Sequence, residues 1–285
     1  MALKFTKMHG IGNDYIYFDC TKNNPISEPS KLSEAISKYH FGVGSDGIVM
    51  ILPSSVADFR MRMFNADGSE GKMCGNATRC IGKYVYERGL TDKTTVTLET
   101  LSGIKTLILK VSDGKVTEIS VDMGMPVFEA EKIPVISDEK EFVSKTFNVC
   151  GKEVTATCVS MGNPHCVIFT ENIDSLNLEK IGPDFENHKI FPERVNTEFV
   201  EVIDENTLKM RVWERGSGET WACGTGACAV TAAAVKNGIC KFDSDITVKL
   251  KGGDLKIIYH SDNGIIMTGP ASFVFDGELL MEDID

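Results

Sequence analysis

The chain has 285 residues, 42% hydrophobic and 25% charged, with a formal net charge of -11. That length suggests about two domains, each able to bury its own core. The acidic balance, with no Lys/Arg cluster, speaks against nucleic acid as a partner, and no apolar run approaches the ~18 residues of a membrane span.

Phe5 to His9 predicts a strand, which breaks at Gly10-Ile11-Gly12-Asn13-Asp14 and resumes over Tyr15-Ile16-Tyr17-Phe18. Asn23-Asn24-Pro25 marks a loop, and the spacing of Leu32, Ile36 and Tyr39 predicts a helix over 31–40. Gly42-Val43-Gly44-Ser45-Asp46-Gly47 matches the pattern G-x-G-x-x-G. A dinucleotide site needs a strand before that pattern and a helix after it, whereas here the order is reversed, so the glycines read as turn residues. Residues 58–65 alternate as a strand, with Phe59, Met61 and Met63 on one side.

Cys74-Gly75-Asn76-Ala77-Thr78-Arg79-Cys80 then opens a helix that stops at Gly89. Strands follow over 94–100, 104–111 and 116–123, with a hairpin signal at Asp113-Gly114. Pro126 and the charged stretch 129–141 read as a linker. Beyond it the order repeats. Gly162-Asn163-Pro164-His165 echoes the Gly-Asn turn near residue 13, a short helix is predicted over 176–182, and strands over 196–203 and 207–214 lead to a second cysteine. Ala222-Cys223-Gly224-Thr225 opens an Ala-rich helix that stops at Asn237-Gly238. Glu70, Cys74, Gly75 and Gly89 superpose on Glu219, Cys223, Gly224 and Gly238 at an offset of 149.

These repeats predict an α+β fold of two pseudo-symmetric halves, each a mostly antiparallel sheet or barrel wrapped around a central helix. The first half is expected over 1–125, completed by strands from 268–285, and the second over 126–267. Each helix N-terminus offers unpaired N–H groups and a positive dipole end, which favour a thiolate or a bound anion. Two facing cysteines suit one reaction. A carbon next to a carboxylate is a very weak acid, and a dry thiolate can take its proton while a second thiol returns one to the opposite face. Such inversion needs neither metal nor coenzyme. The nine cysteines, odd in number and without C-x-x-C, suit a reduced, cytoplasmic protein with no structural zinc.

The segments around Cys74 and Glu214-Arg215-Gly216-Ser217-Gly218-Glu219-Thr220-Trp221-Ala222-Cys223-Gly224-Thr225 resemble the two signatures of the diaminopimelate epimerase family. His9 to Asp14, Phe64 to Ser69 and Gly162 to His165 are similar to its other segments, and the likeness spans nearly the whole chain. The resemblance implies conversion of LL-2,6-diaminopimelate to the meso isomer, in lysine and cell-wall precursor synthesis, by a cofactor-independent cytoplasmic homodimer. It implies Cys74 and Cys223 as base and acid, with His165 and Glu214 setting their protonation. It implies substrate contacts from Asn13, Asn65, Asn163, Asn196 and Arg215, the last pairing the distal carboxylate. Gly75-Asn76 and Gly224-Thr225 would hold the reacting carboxylate. Gly47 stands where some family members carry a substrate-contacting glutamine, so no side-chain role passes to it. Two other readings compete: a racemase of proline-type substrates, disfavoured by Arg215, and a redox switch through a Cys74–Cys223 disulfide.

Overall fold

The alternating and apolar runs of the sequence become strands, and the computed structural model describes them over residues 2–280. In chain order these are β1 (Ala2–Gly10), β2 (Asn13–Asp19), α1 (Pro29–Ile36), β3 (Gly47–Leu52), β4 (Phe59–Asn65) and the short β5 (Glu70–Gly71). Next come α2 (Gly75–Glu87), β6 (Thr95–Thr100), β7 (Gly103–Ser112), β8 (Lys115–Gly124), β9 (Lys145–Val149), β10 (Lys152–Ser160) and β11 (Pro164–Phe169). They are followed by α3 (Leu178–Glu186), β12 (Asn196–Asp204), β13 (Thr207–Glu214), β14 (Gly218–Glu219) and α4 (Gly224–Lys236). The series closes with β15 (Ile246–Leu250), β16 (Gly253–His260), β17 (Gly264–Gly269) and β18 (Ser272–Leu280).

The chain divides into two units. One is built from the chain up to Val121 and from Gly269 onward, the other from Asp122–Thr268. The first has the strand order β18-β1-β2-β3-β4-β6-β7-β8. The second has the order β9-β10-β11-β12-β13-β15-β16-β17. In each order the third–fourth and fifth–sixth neighbours are parallel and the rest antiparallel. A parallel pair needs a long crossover. The helices supply it: α1 and α2 in the first unit, α3 and α4 in the second.

Each unit wraps its strands around its cysteine helix. α2 packs on β1, β2 and β7, with Ala77, Cys80, Ile81 and Val85 fully buried. α4 packs on β10, β11, β12, β13, β15 and β16. Residues 226–235 of α4 are buried without interruption, because only small or apolar side chains occur there and no polar face is needed. Both helices stop in the same way. Gly89 (φ 68°) and Gly238 (φ 72°) take the left-handed conformation. Leu90 N donates to Val85 O and Ile239 N to Ala234 O, pairing carbonyls that the helix would otherwise leave open.

Two expectations change. The stretch 129–141 is no linker: Ala130, Ile133 and Val135, with Phe142 just after them, enter the core of the second unit beside Phe185 and Trp213. Its charges lie on the outer side of a segment whose intervening apolar residues are buried. α1 ends at Ile36 rather than continuing to residue 40, since Gly44 N donates back to Ile36 O and folds the chain over. Tyr39 is left exposed.

Candidate active site

In the first unit the helix begins on Cys74. Its backbone is extended (φ -132°, ψ 120°), and its sulfur takes the N-cap role by accepting from Ala77 N at 3.5 Å. The Cys74 thiol donates to Asn13 Oδ1 at 3.3 Å, and Asn76 Nδ2 donates to the same oxygen at 3.2 Å. The amide of Asn13 is oriented by Asp46, whose Oδ2 accepts from Asn13 Nδ2 at 2.6 Å. Arg79, fully buried one turn into the helix, donates from Nη2 to Asn76 Oδ1 at 2.9 Å. Asn65 Nδ2 donates to Ser69 Oγ at 3.0 Å. Gly75 is the first helical residue, and it is buried.

In the second unit Cys223 takes the same part. Its backbone is extended (φ -121°, ψ 106°), and its sulfur accepts from Gly226 N at 3.3 Å. Thr225 Oγ1 lies 3.6 Å from the sulfur. Thr225 Oγ1 also accepts from Asn163 Nδ2 at 3.3 Å, and Asn163 Oδ1 faces His165 Nε2 at 3.0 Å. Glu214 accepts from Thr220 Oγ1 at 2.5 Å and from the Cys223 thiol. Burial pushes the Glu214 carboxyl above the usual carboxylate range, against the hydrogen bonds that lower it. Burial raises the Cys223 thiol well above the ordinary cysteine range, with help from the Glu214 and Glu198 carboxylates. Asn196 Oδ1 accepts from Arg215 N at 2.8 Å. The guanidinium of Arg215 lies on Glu193 O at 2.8 Å. Gly224 starts the helix and is buried.

Strand register aligns the two sets. In the parallel pairs, His165 lies opposite Asn196 and Val167 opposite Glu198, as Ile16 lies opposite Ile48 and Tyr17 opposite Val49. In the antiparallel pairs that follow, Gly47 lies opposite Asn65, and Thr197 opposite Trp213. Gly47, Val49 and Asn65 therefore correspond to Asn196, Glu198 and Glu214. Behind these differences the frame is the same. Arg62 meets Glu70 at 2.6 and 3.0 Å, and Arg211 meets Glu219 at 2.8 and 3.0 Å, both as two-pronged pairs. A Cβ on Gly47 would stand 2.0 Å from Phe64 O, so a glutamine cannot occupy this backbone as it lies.

The sequence reading passes over Glu198, Gly226 and Arg79. Glu198 is fully buried, and its Oε1 is 2.6 Å from His165 Nδ1, itself fully buried. Removing one partner of such a pair costs about 3–5 kcal/mol. A Cβ on Gly226 would stand 2.9 Å from Glu198 Oε1 and 3.1 Å from Cys223 Sγ, so glycine lets both approach the helix. One signal in the sequence could have exposed Glu198: the offset of 149 sets it against Val49, in the apolar run 48–52. Among the described residues no cluster of His, Cys, Asp and Glu could hold a metal, and no helix is long and apolar enough to cross a membrane.

A sequence model of the diaminopimelate epimerase family matches residues 5–129 and 157–274. A diaminopimelate epimerase of Acetivibrio thermocellus is 56% identical, over 99% of this chain and 100% of its own. One of Methanococcus maripaludis is also 56% identical, over 97% of this chain and 99% of its own. Among solved structures, a probable proline racemase from Agrobacterium radiobacter shares the fold with a TM-score of 0.75 at 13% identity, over 98% of this chain and 93% of its own. A hydroxyproline epimerase from Agrobacterium vitis does so with a TM-score of 0.72, also at 13% identity, over 98% and 92%.

Proposed function

This chain belongs to the diaminopimelate epimerase family, and on that footing we propose that Cys74 and Cys223 are the two bases of its reaction. The enzyme is an isomerase that converts LL-2,6-diaminopimelate to the meso form, a step of lysine biosynthesis. The observation that carries the mechanism is the repeated local geometry: each unit caps its buried helix with a cysteine sulfur.

Inversion proceeds by removal of the α-proton from one face and delivery of a proton to the other. Each sulfur takes one face. Burial and two carboxylates favour Cys223 as the resting thiol, which makes it the acid in one direction and leaves Cys74 as the base. Glu214, bonded to the Cys223 thiol, accepts its proton when the direction reverses. The N–H groups at Gly75-Asn76 and Gly224-Thr225 bind the reacting carboxylate and the negative charge that grows on it. Asn13, Asn65, Asn163 and Asn196 contribute polar contacts, and the planar guanidinium of Arg215 suits the distal carboxylate. The reaction needs no coenzyme or metal, and the working form is a cytoplasmic homodimer.

The test uses purified, reduced protein without added metal or coenzyme. In deuterated water, LL-diaminopimelate should gain deuterium at the inverted carbon as the meso isomer appears, while L-proline stays unchanged. Formation of meso product without solvent deuterium would overturn the two-base reading.

A further inference from the structure

A hydrogen-bonded chain runs from a buried carboxylate to the Cys223 sulfur, through three intervening side chains of the second unit. Glu198 Oε1 is 2.6 Å from His165 Nδ1, and His165 Nε2 is 3.0 Å from Asn163 Oδ1. Asn163 Nδ2 is 3.3 Å from Thr225 Oγ1, which is 3.6 Å from Cys223 Sγ. We propose that Glu198 is a positioning residue, which keeps His165 as the imidazolium and thereby turns the Thr225 hydroxyl onto the Cys223 sulfur.

The polarity of the chain follows from its ends. Both ring nitrogens of His165 face oxygens, so an imidazolium beside an ionised Glu198 would donate to each. An imidazolium in a fully buried place needs an anion beside it, and Glu198, also fully buried, supplies it. Glu198 Oε2 has no hydrogen-bond partner among the described residues, so the charge of His165 is what compensates this carboxylate. The N-terminal turn of α4, brought close by Gly226, adds a positive dipole end on the same side. With Nε2–H donating to Asn163 Oδ1, the amide must present its NH₂ to Thr225 Oγ1. The Thr225 proton is then free to point at the sulfur. Were His165 neutral at Nε2, the Asn163 amide would turn over, Thr225 would donate to it, and the sulfur would lose that donor.

Building on the role given to Cys223 above, the consequence is chemical. When Cys223 gives its proton to carbon, the thiolate left behind is met by two donors, Gly226 N–H and Thr225 O–H. The titratable groups around Cys223 and Glu214 are Glu214 on β13, Glu198 on β12 and His165 on β11; the first turn of α4 carries no acid. The chain is thus the route by which a group not bonded to the sulfur decides how that sulfur is solvated.

Two substrate-free measurements test this, so they stand apart from whether the protein inverts diaminopimelate. The first is the ¹⁵N NMR spectrum of His165, assigned by comparison with His165→Gln. At neutral pH both ring nitrogens of the wild type should be protonated, and Glu198→Gln should show one unprotonated nitrogen. A neutral ring in the wild type, or an imidazolium that persists in Glu198→Gln, overturns the proposal. The second is the pH profile of Cys223 alkylation, read peptide by peptide by mass spectrometry. Thr225→Val should raise its midpoint by roughly half a pH unit or more, and Thr225→Ser should restore it. An unmoved or lowered midpoint in Thr225→Val overturns the proposal. With substrate, Glu198→Gln should lower kcat at least about tenfold with KM nearly unchanged, and Glu198→Asp should recover part of the loss. A KM effect alone would reduce Glu198 to a structural part.

Discussion

The two units share a frame and differ in what fills it. Strand order, parallel pairs, helix stops and the Arg62–Glu70 and Arg211–Glu219 pairs recur in both. Around the sulfurs the recurrence ends. In the first unit Cys74 donates to a neutral amide, Asn13, and a buried arginine stands behind Asn76. In the second unit Cys223 donates to the carboxylate of Glu214, with a second carboxylate, Glu198, close by. The register makes the contrast specific: Gly47, Val49 and Asn65 correspond to Asn196, Glu198 and Glu214 in the internal repeat. A duplicated scaffold therefore holds two cysteines in like positions, and three differences on two strands place Glu198 and Glu214 near Cys223 where the first unit has Val49 and Asn65.

The comparison is broken most severely at its centre. Cys74→Ser and Cys223→Ser should each reduce inversion about a thousandfold in steady-state assays, since each removes one of two required proton carriers. Full activity in either variant would refute equal partnership of the units. Glu214→Asn copies the first unit into the second. It should slow inversion about tenfold to a hundredfold. It also removes an anion that holds Cys223 as a thiol. In the wild type, Cys223 alkylation should begin only above the ordinary cysteine range, and in the variant the midpoint should fall by about one pH unit.

Gly47→Asn copies the second unit into the first. With a Cβ forced to 2.0 Å from Phe64 O, it should cost about 1–3 kcal/mol in urea denaturation. The smallest effect belongs to what the units share. Arg62→Lys loses a two-pronged pair and should cost less than about 1 kcal/mol. Arg211→Lys should cost more, because Arg211 Nη1 also donates to Ile173 O and Leu176 O at 2.7 and 2.8 Å; equal costs in urea denaturation would mean that these carbonyl contacts add nothing.

Features set by local sequence were readable before the structure. The helix starts at Cys74 and Cys223 and the stops at Gly89 and Gly238 rest on capping and left-handed glycine. The hairpin at Asp113-Gly114 rests on two positive φ angles, 51° and 72°. Glu198 was not readable in the same way. In the run Asn196-Thr197-Glu198-Phe199-Val200 it passes for one polar position of an alternating strand. Its burial comes from the neighbouring parallel strand β11, whose pairing depends on the crossover over residues 170–195. The segment 129–141 was misread for a related reason: its charges dominate the composition, while burial depends on where Ile133 and Val135 land. Proximity within each sulfur's surroundings, such as Thr225 to Asn163, is likewise a product of tertiary pairing.

The pairing of β1 with β18 joins residues 2–9 to residues 272–280. On the ribosome, about half a minute of elongation separates the two strands at ~10 residues per second. The stretch 122–268 emerges whole in that interval and can fold first, while β1 waits with one open edge, the kind of edge that invites aggregation. Nascent chains arrested near residue 265 should therefore recruit chaperones to their N-terminal part, and release should follow once β18 clears the exit tunnel.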